Sequence, residues 1–134
     1  MDDPYRDAMR EHLAQLAEEL EEIAGQLQEG KRSAILYRAT ERNLQLLIEA
    51  CIGIARRALK DHGAEVPTEA RRVFSRLRTH GLDPTDADWN RIVGMRNALV
   101  HDYLDLDPER IAEVVTTGKY RVLLKFGRQM IDPA

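Results

Sequence analysis

Apolar residues recur along the chain at spacings of three and four, which is the period of an amphipathic α-helix. The first such segment covers residues 9–27, and its apolar positions are Met9, Leu13, Leu16, Leu20, Ile23 and Leu27. A broader apolar pattern follows over residues 34–60, and Ser33 stands directly before it as a candidate N-cap. The pattern predicts two long helices joined by a short turn at Gly30.

Three further helices are predicted in the second half of the chain. A short one covers "TEARRVFSRLRTH" and ends at a glycine. The next opens at Trp89, after a loop rich in Asp and Thr, which are common N-cap residues. For the last helix, Asp107 is the candidate N-cap and Pro108 the first helical residue. This helix continues through Phe126, with a weak point or kink expected at Gly118.

No stretch alternates apolar and polar positions as a half-buried strand does. The sequence therefore predicts an all-α, compact bundle of about five helices that forms a single domain, residues 1–134. The composition agrees, because charged residues make up 32% and aromatic residues only 5%. Cys51, the single cysteine, lies on an apolar helix face, where we expect a small buried side chain rather than a nucleophile.

Features of export or membrane insertion are not found in the sequence. The N-terminal stretch "MDDPYRDAMR" is acidic and lacks the apolar segment of a secretory signal. No apolar run approaches the roughly 18 residues of a membrane span. One cysteine allows no disulfide framework within the chain. We therefore expect a cytoplasmic protein that is not bound to a membrane.

The formal net charge of −3 hides an uneven distribution. The first 30 residues carry nine acidic and two basic side chains, whereas residues 31–101 carry thirteen basic and eight acidic ones. One interpretation is the ordinary charge of helical surfaces. The other is a basic central region that faces a polyanion, although the overall charge is not that of a protein that coats nucleic acid.

The stretch "MRNALVHDY", residues 95–103, places the polar side chains of Arg96, Asn97, His101 and Tyr103 in one predicted helix. Successive helical residues are offset by about 100°, so Arg96 and Tyr103 lie within about 20° of each other and Asn97 and His101 within about 40°. Arg96 and His101 are about 140° apart, so one regular helix does not bring them together. A loosened helix end, the reach of the arginine, or a second copy of the helix across a two-fold axis would close this gap.

Residues of these types are sufficient to cleave RNA without a metal ion. A histidine, whose pKa is near neutrality, can take a proton from a ribose 2′-hydroxyl or give one to a leaving oxygen. An arginine can hold a phosphodiester through two hydrogen bonds and stabilise the charge of its transition state. Spacing alone leaves a second interpretation open, in which Arg96 is a surface cation and His101 a packing or capping residue. No glycine-rich phosphate loop, zinc-protease motif or serine elbow indicates another chemistry.

"RNALVHDY" resembles the R-x4-H-x-Y signature of HEPN-domain ribonuclease toxins, specifically the HepT type from HEPN/MNT toxin–antitoxin pairs. Arg96, the polar Asn97, His101 and Tyr103 match each position of that signature. The upstream stretch "ILYRATERNLQLLIEACIGIA" resembles the second helix of the family, and the resemblance covers roughly residues 5–130. It implies a HEPN-like bundle that forms a homodimer, in which the two motif helices meet at the dimer axis in one composite cleft.

The resemblance also implies a role for each motif residue. Arg96 and His101 would be the catalytic pair, with Asn97 in support, and no metal or other cofactor is implied. The substrate would be tRNA or mRNA, cleaved by attack of the 2′-hydroxyl to leave a cyclic phosphate end. The antitoxin of the family is a minimal nucleotidyltransferase that transfers AMP from ATP to the motif tyrosine, here Tyr103. AMP at that position would bring bulk and negative charge beside Arg96, where the RNA phosphate would lie.

Two residues of the second helix, Arg38 and Glu41, are further candidates for the cleft. Glu41 would orient a catalytic side chain or pair with Arg96, and a surface ion pair is the alternative. Two other interpretations of the whole chain also stay open. One is a non-catalytic HEPN-like module that binds a nucleotide or a partner enzyme. The other is a purely structural helical adaptor, suggested by the seam of residues 9–27.

Overall fold

The computed structural model describes residues 1–101 and 104–133, and this part of the chain contains helices and no β-strand. The all-α prediction is therefore confirmed. No helix among the described residues is both long and apolar enough to cross a lipid bilayer. In chain order the helices are α1 (Asp3–Gln28), α2 (Ala34–Asp61), α3 (Ala70–Thr79), α4 (Trp89–His101), α5 (Pro108–Thr116) and α6 (Arg121–Ile131).

The described residues form six helices, so the prediction of about five is corrected. The difference arises at Gly118, where one long C-terminal helix with a weak point was expected. Gly118 has φ +74°, a left-handed conformation that a continuing α-helix cannot contain. This residue follows the C-cap of α5, Thr117, and α6 starts three residues later. The expected weak point is thus a complete break between two helices.

Two predicted N-caps start their helices as expected. Ser33 Oγ accepts the backbone N–H of Leu36 at 3.0 Å at the start of α2. Asp107 Oδ1 accepts the backbone N–H of Glu109 at 3.0 Å at the start of α5. Each side chain satisfies one of the amide donors that the first turn of a helix leaves unpaired. The sequence therefore predicted both helix starts correctly.

Helix α2 is central to the bundle, because it packs against each of the other described helices. Cys51 is fully buried there, and its thiol donates to the carbonyl oxygen of Leu123 at 3.4 Å. Burial raises the pKa of Cys51 far above its usual value, so the thiol stays protonated. Cys51 thus packs as a small apolar side chain, as predicted. The large side chains of α2 that are fully buried are Leu44, Leu47, Ile48, Ile52, Ile54 and Leu59.

An aromatic cluster fixes the beginning of α4 against α3 and α6. Trp89 stacks on Phe74 with ring centroids 3.7 Å apart and planes inclined by 5°. Its ring also meets Phe126 edge-on, with centroids 4.8 Å apart. Because Trp89 is the first residue of α4, this cluster sets the position from which the rest of that helix extends.

Candidate active site

Asp83 holds the loop that leads into α4. Its buried carboxylate accepts hydrogen bonds from Trp89 Nε1 at 2.7 Å, Arg78 Nε at 2.8 Å and the backbone N–H of Thr85 at 2.9 Å. Burial alone would raise the pKa of Asp83, but these hydrogen bonds outweigh it and hold the pKa below its usual value. A charged carboxylate therefore secures the start of the helix that carries the motif.

Helix α4 presents its motif residues in different directions. Val93 and Leu99 are buried on the side that faces the core. Arg96 lies between them on the helical wheel, within about 60° of each, so its side chain also faces inward. Asn97 is half-buried, and His101 at the C-terminal end of the helix is exposed. The arginine and the histidine of the motif thus face different surroundings.

Arg96 reaches from α4 to α2, where it meets Glu49. Its Nη1 donates a hydrogen bond to Oε1 of Glu49 at 3.1 Å. The arginine side chain is 24% exposed and that of the glutamate 41%, so the pair is partly shielded from water. Arg96 Nε is buried and has no hydrogen-bond partner among the described residues. Nη1 therefore anchors the guanidinium, while Nη2 forms no hydrogen bond with a described residue.

The acid that pairs with Arg96 differs from the one that the sequence suggested. Glu41 was expected as the candidate, but no ion pair or hydrogen bond between described residues joins it to Arg96. Glu49 lies eight residues further along α2, about 12 Å along the helix axis. Both glutamates are polar positions of α2 in the sequence. Which of them meets Arg96 depends on where α2 and α4 cross, and the sequence pattern does not give that point. Within the described part of the chain, Arg96 thus pairs with Glu49.

Arg38 and Glu41 lie near the N-terminal end of α2. Arg38 is exposed and Glu41 half-buried. Arg38 is eleven residues before Glu49, which is about 16 Å along the helix axis. Among the described hydrogen bonds and ion pairs, none joins either residue to the motif. A role for Arg38 and Glu41 in the cleft therefore stays a prediction.

Asn97 and His101 form the second polar group of α4. They lie about 40° apart around the helix, whereas Arg96 and His101 are about 140° apart. No side-chain hydrogen bond within the described part of the chain joins Arg96, Asn97 and His101 to one another. Tyr103, the fourth motif residue, lies outside the described residues. A single chain thus orients the arginine toward α2 and leaves the histidine exposed, as the helical wheel predicts.

A cavity of about 500 Å³ lies on the other flank of α4, between this helix and α5 and α6. The α4 residues that line it are Arg91, Ile92, Met95 and Ala98. The side chains of Arg96, Asn97 and His101 do not line it. The cavity is therefore separate from these three polar side chains.

Comparison with known proteins identifies relatives in sequence. A family model described as "Ribonuclease HepT-like" matches residues 9–130. The mRNA nuclease HepT of Shewanella oneidensis is 30% identical to this chain over 98 residues. That alignment covers 72% of this chain and 74% of the relative. The residues matched by the family model include the whole of α2 and α4, so the similarity is not confined to one helix.

Solved structures share the fold over nearly the whole chain. The tri-AMPylated Shewanella oneidensis HEPN toxin in complex with the MNT antitoxin has a TM-score of 0.77 and 25% identity, covering 98% of this chain and 96% of that one. A toxin–antitoxin crystal structure with AMP-PNP has a TM-score of 0.75 and 23% identity, with 98% of both chains covered. At that lower identity the likeness shows the fold alone. Because the family model spans most of the sequence, this chain belongs to the HepT-like ribonuclease family.

Proposed function

We propose that this chain is the ribonuclease toxin of a HEPN/MNT toxin–antitoxin pair and that it cleaves RNA through Arg96 and His101. The observation that carries the proposal is the R-x4-H pattern on α4, with Arg96 already oriented by Glu49 at 3.1 Å. The name of the Shewanella oneidensis relative, mRNA nuclease HepT, supports RNA as the substrate class. Whether mRNA or tRNA is cut depends on contacts that the motif does not contain.

The proposed reaction is a transfer of the phosphodiester to the neighbouring 2′-oxygen. The 2′-hydroxyl oxygen attacks phosphorus while the bond to the 5′-oxygen of the next nucleotide breaks. His101 takes the proton from the 2′-hydroxyl or, as the imidazolium, gives one to the departing 5′-oxygen. Arg96 donates to the non-bridging oxygens, where negative charge grows in the transition state. The products are a cyclic phosphate and a 5′-hydroxyl, and these steps need no metal ion.

We propose further that two copies of the chain form one composite cleft, to which Asn97 contributes beside His101. The support is geometric, since Arg96 and His101 are about 140° apart around α4 and a second copy of the helix supplies the missing neighbour. Val100 and Leu104, on either side of His101 in the sequence, are 37% and 85% exposed. Exposed apolar side chains next to a polar site are consistent with an interface there.

AMP transfer to Tyr103 is the proposed means of neutralisation, with an MNT-type nucleotidyltransferase as antitoxin and partner. The phenol oxygen attacks the α-phosphorus of ATP, pyrophosphate leaves, and the phenol proton passes to the solvent or to a base on the partner. Support comes from the motif position of Tyr103 and from the tri-AMPylated Shewanella oneidensis toxin in complex with its MNT antitoxin. The added phosphate would carry negative charge into the site where Arg96 binds RNA.

Cleavage assays in a metal chelator test the nuclease proposal. We expect Arg96→Ala and His101→Ala each to lower the cleavage rate by about 100-fold or more, because each removes a group that acts on the transition state. Arg91→Ala is the matched control, since Arg91 is an exposed arginine of α4 about 15 Å from His101 along the helix axis. Equal cleavage by the wild type and both motif variants would rule out this active site.

Intact mass measurement tests the modification separately. Incubation with the cognate nucleotidyltransferase and ATP should add one or more steps of one AMP mass. We expect no step in Tyr103→Phe and normal steps in Tyr37→Phe, which removes another tyrosine hydroxyl of the chain. Adducts that persist in Tyr103→Phe would assign the modification to a different residue.

A further inference from the structure

The flank of α4 that bears His101 continues toward the beginning of that helix. Asn90, Gly94, Asn97 and His101 lie within about 60° of one another around the helix axis. Asn90 and His101 are exposed, and the other two are half-buried. This His101 flank, as we call these four residues, is therefore an accessible strip along nearly the full length of α4.

Arg71 of α3 extends across the N-terminal half of the His101 flank. Its Nη2 donates a hydrogen bond to the backbone carbonyl oxygen of Asn90 at 3.2 Å. The same nitrogen is so close to Gly94 that a Cβ atom at this position would lie 3.1 Å from it. The absence of a side chain at Gly94 thus leaves the space in which the guanidinium lies. Along the helix axis, Gly94 is about 10 Å from His101.

The partners of Arg71 differ from those of other arginines on α3. Arg76 forms an ion pair with Glu65. Arg78 forms one with Asp83. Within the described part of the chain, Arg71 makes no ion pair, and its hydrogen-bond acceptor is a neutral carbonyl oxygen. The full positive charge of Arg71 is thus held in place and remains available to an anion.

We propose that Arg71 binds a backbone phosphate of the RNA close to the phosphate that is cleaved. The proposal rests on the ribonuclease function proposed above. An RNA strand that follows the His101 flank would reach Arg71 a short distance from the reacting bond. The Asn90 carbonyl uses one of the five N–H donors of Arg71, so the others can hold phosphate oxygens. Such a contact fixes the position of the strand without reading its bases.

Steady-state kinetics on a short single-stranded RNA test this role. Arg71→Gln removes the charge but keeps an amide donor for the carbonyl of Asn90. We expect its KM to rise about tenfold with little change in kcat, the effect of losing one charge-assisted hydrogen bond to substrate. Arg71→Lys should recover part of the loss. Arg72→Ala is the matched control, because Arg72 is an exposed arginine about 100° further around α3.

Salt dependence of binding gives a readout that a purely structural role would not change. The probe is the same RNA with a 2′-deoxy nucleotide at the cleavage site, which cannot react. Each phosphate contact to single-stranded RNA contributes about 0.7 to the slope of log Kd against log salt concentration. We expect Arg71→Gln to reduce the slope by about this amount and Arg72→Ala to leave it unchanged.

Two results would overturn the proposal. One is a folded Arg71→Gln variant, with wild-type thermal stability, that has wild-type KM and salt slope. The other is a lower kcat at unchanged KM and slope, since Arg71 would then act on the chemical step or on the structure instead of on RNA binding. The nuclease proposal fails by a different result, namely cleavage that does not depend on Arg96 and His101. Binding of the unreactive RNA would still test the role of Arg71 in that case.

Discussion

Arg96 on α4 and Glu49 on α2 form an ion pair, with Nη1 and Oε1 3.1 Å apart. The pair joins the motif helix to the central helix of the bundle and restricts the directions in which the guanidinium can point. An arginine that is already oriented loses less conformational freedom when it binds a phosphate. Glu49 therefore has an expected role in RNA cleavage, although it does not touch the reacting atoms.

We expect Glu49→Ala to lower kcat about tenfold by leaving Arg96 without its anchor. The free energy of unfolding should fall by no more than about 1 kcal/mol, because the pair is partly exposed. Glu49→Gln should recover part of the rate, since its amide oxygen still accepts from Arg96. Cleavage rates and thermal unfolding of the same preparations measure both effects.

Glu65→Gln provides the control for this comparison. Glu65, in the loop before α3, also forms an ion pair with an arginine: its Oε2 lies 3.8 Å from Nη1 of Arg76 on α3. Its loss should leave the cleavage rate unchanged. A Glu49→Ala variant with wild-type kcat would mean that the ion pair does not orient Arg96 for catalysis.

Asp83→Asn should destabilise the protein by about 1–3 kcal/mol at pH 7, because a buried, hydrogen-bonded charge is lost at the start of α4. The pKa of Asp83 is lowered in the folded state. The charged carboxylate therefore stabilises the fold fully above the unfolded-state pKa of about 3.9, and this stabilisation is lost as the pH falls through the folded-state pKa. The difference between wild type and variant should therefore shrink at acidic pH. Urea unfolding at a series of pH values measures this difference in the free energy of unfolding.

Asp86→Asn is the control for the pH series, since Asp86 is an exposed acid in the same loop. It should change the free energy of unfolding little at any pH. A difference between Asp83→Asn and wild type that stays constant from pH 7 to about pH 3 would contradict the assigned role of the Asp83 charge.

Gly118→Ala and Gly25→Ala should have opposite effects on stability. Gly118 has φ +74°, where an alanine is strained by about 1–2 kcal/mol. Gly25 lies inside α1, and an added Cβ would meet no atom within 4 Å, so alanine should stabilise there by about 0.5–1 kcal/mol. Denaturant unfolding of both variants tests this. Stabilisation by Gly118→Ala would indicate one continuous helix in place of α5 and α6.

Local signals in the sequence were sufficient for most of the fold. The N-caps Ser33 and Asp107 and the apolar seam of α1 appear at the expected positions because capping and amphipathic packing depend on nearby residues. The break at Gly118 was underestimated, because a single glycine is compatible with a kink or with a complete turn. Helices α5 and α6 each pack against α1 and α2, and such packing between distant segments cannot be inferred from one glycine.

Less of the candidate site could be predicted from the sequence. The motif on α4 could be recognised, because Arg96, Asn97 and His101 follow one another within two helical turns. Glu49 lies on α2 and Arg71 on α3. Their contacts with α4 depend on where along their lengths these helices cross α4. Helical periodicity gives the face on which a residue lies but not its height against a neighbouring helix.

The proposed cleft requires Arg96 of one chain to act together with His101 of a second chain. Co-expression of Arg96→Ala with His101→Ala, each carrying a different affinity tag, allows the mixed dimer to be isolated. Only the mixed dimer contains an intact arginine and an intact histidine, and these are on different chains. We expect the mixed dimer to cleave RNA in the presence of a chelator, while each variant alone does not. A mixed dimer that forms stably and remains as inactive as the two variants would contradict a cleft shared between chains.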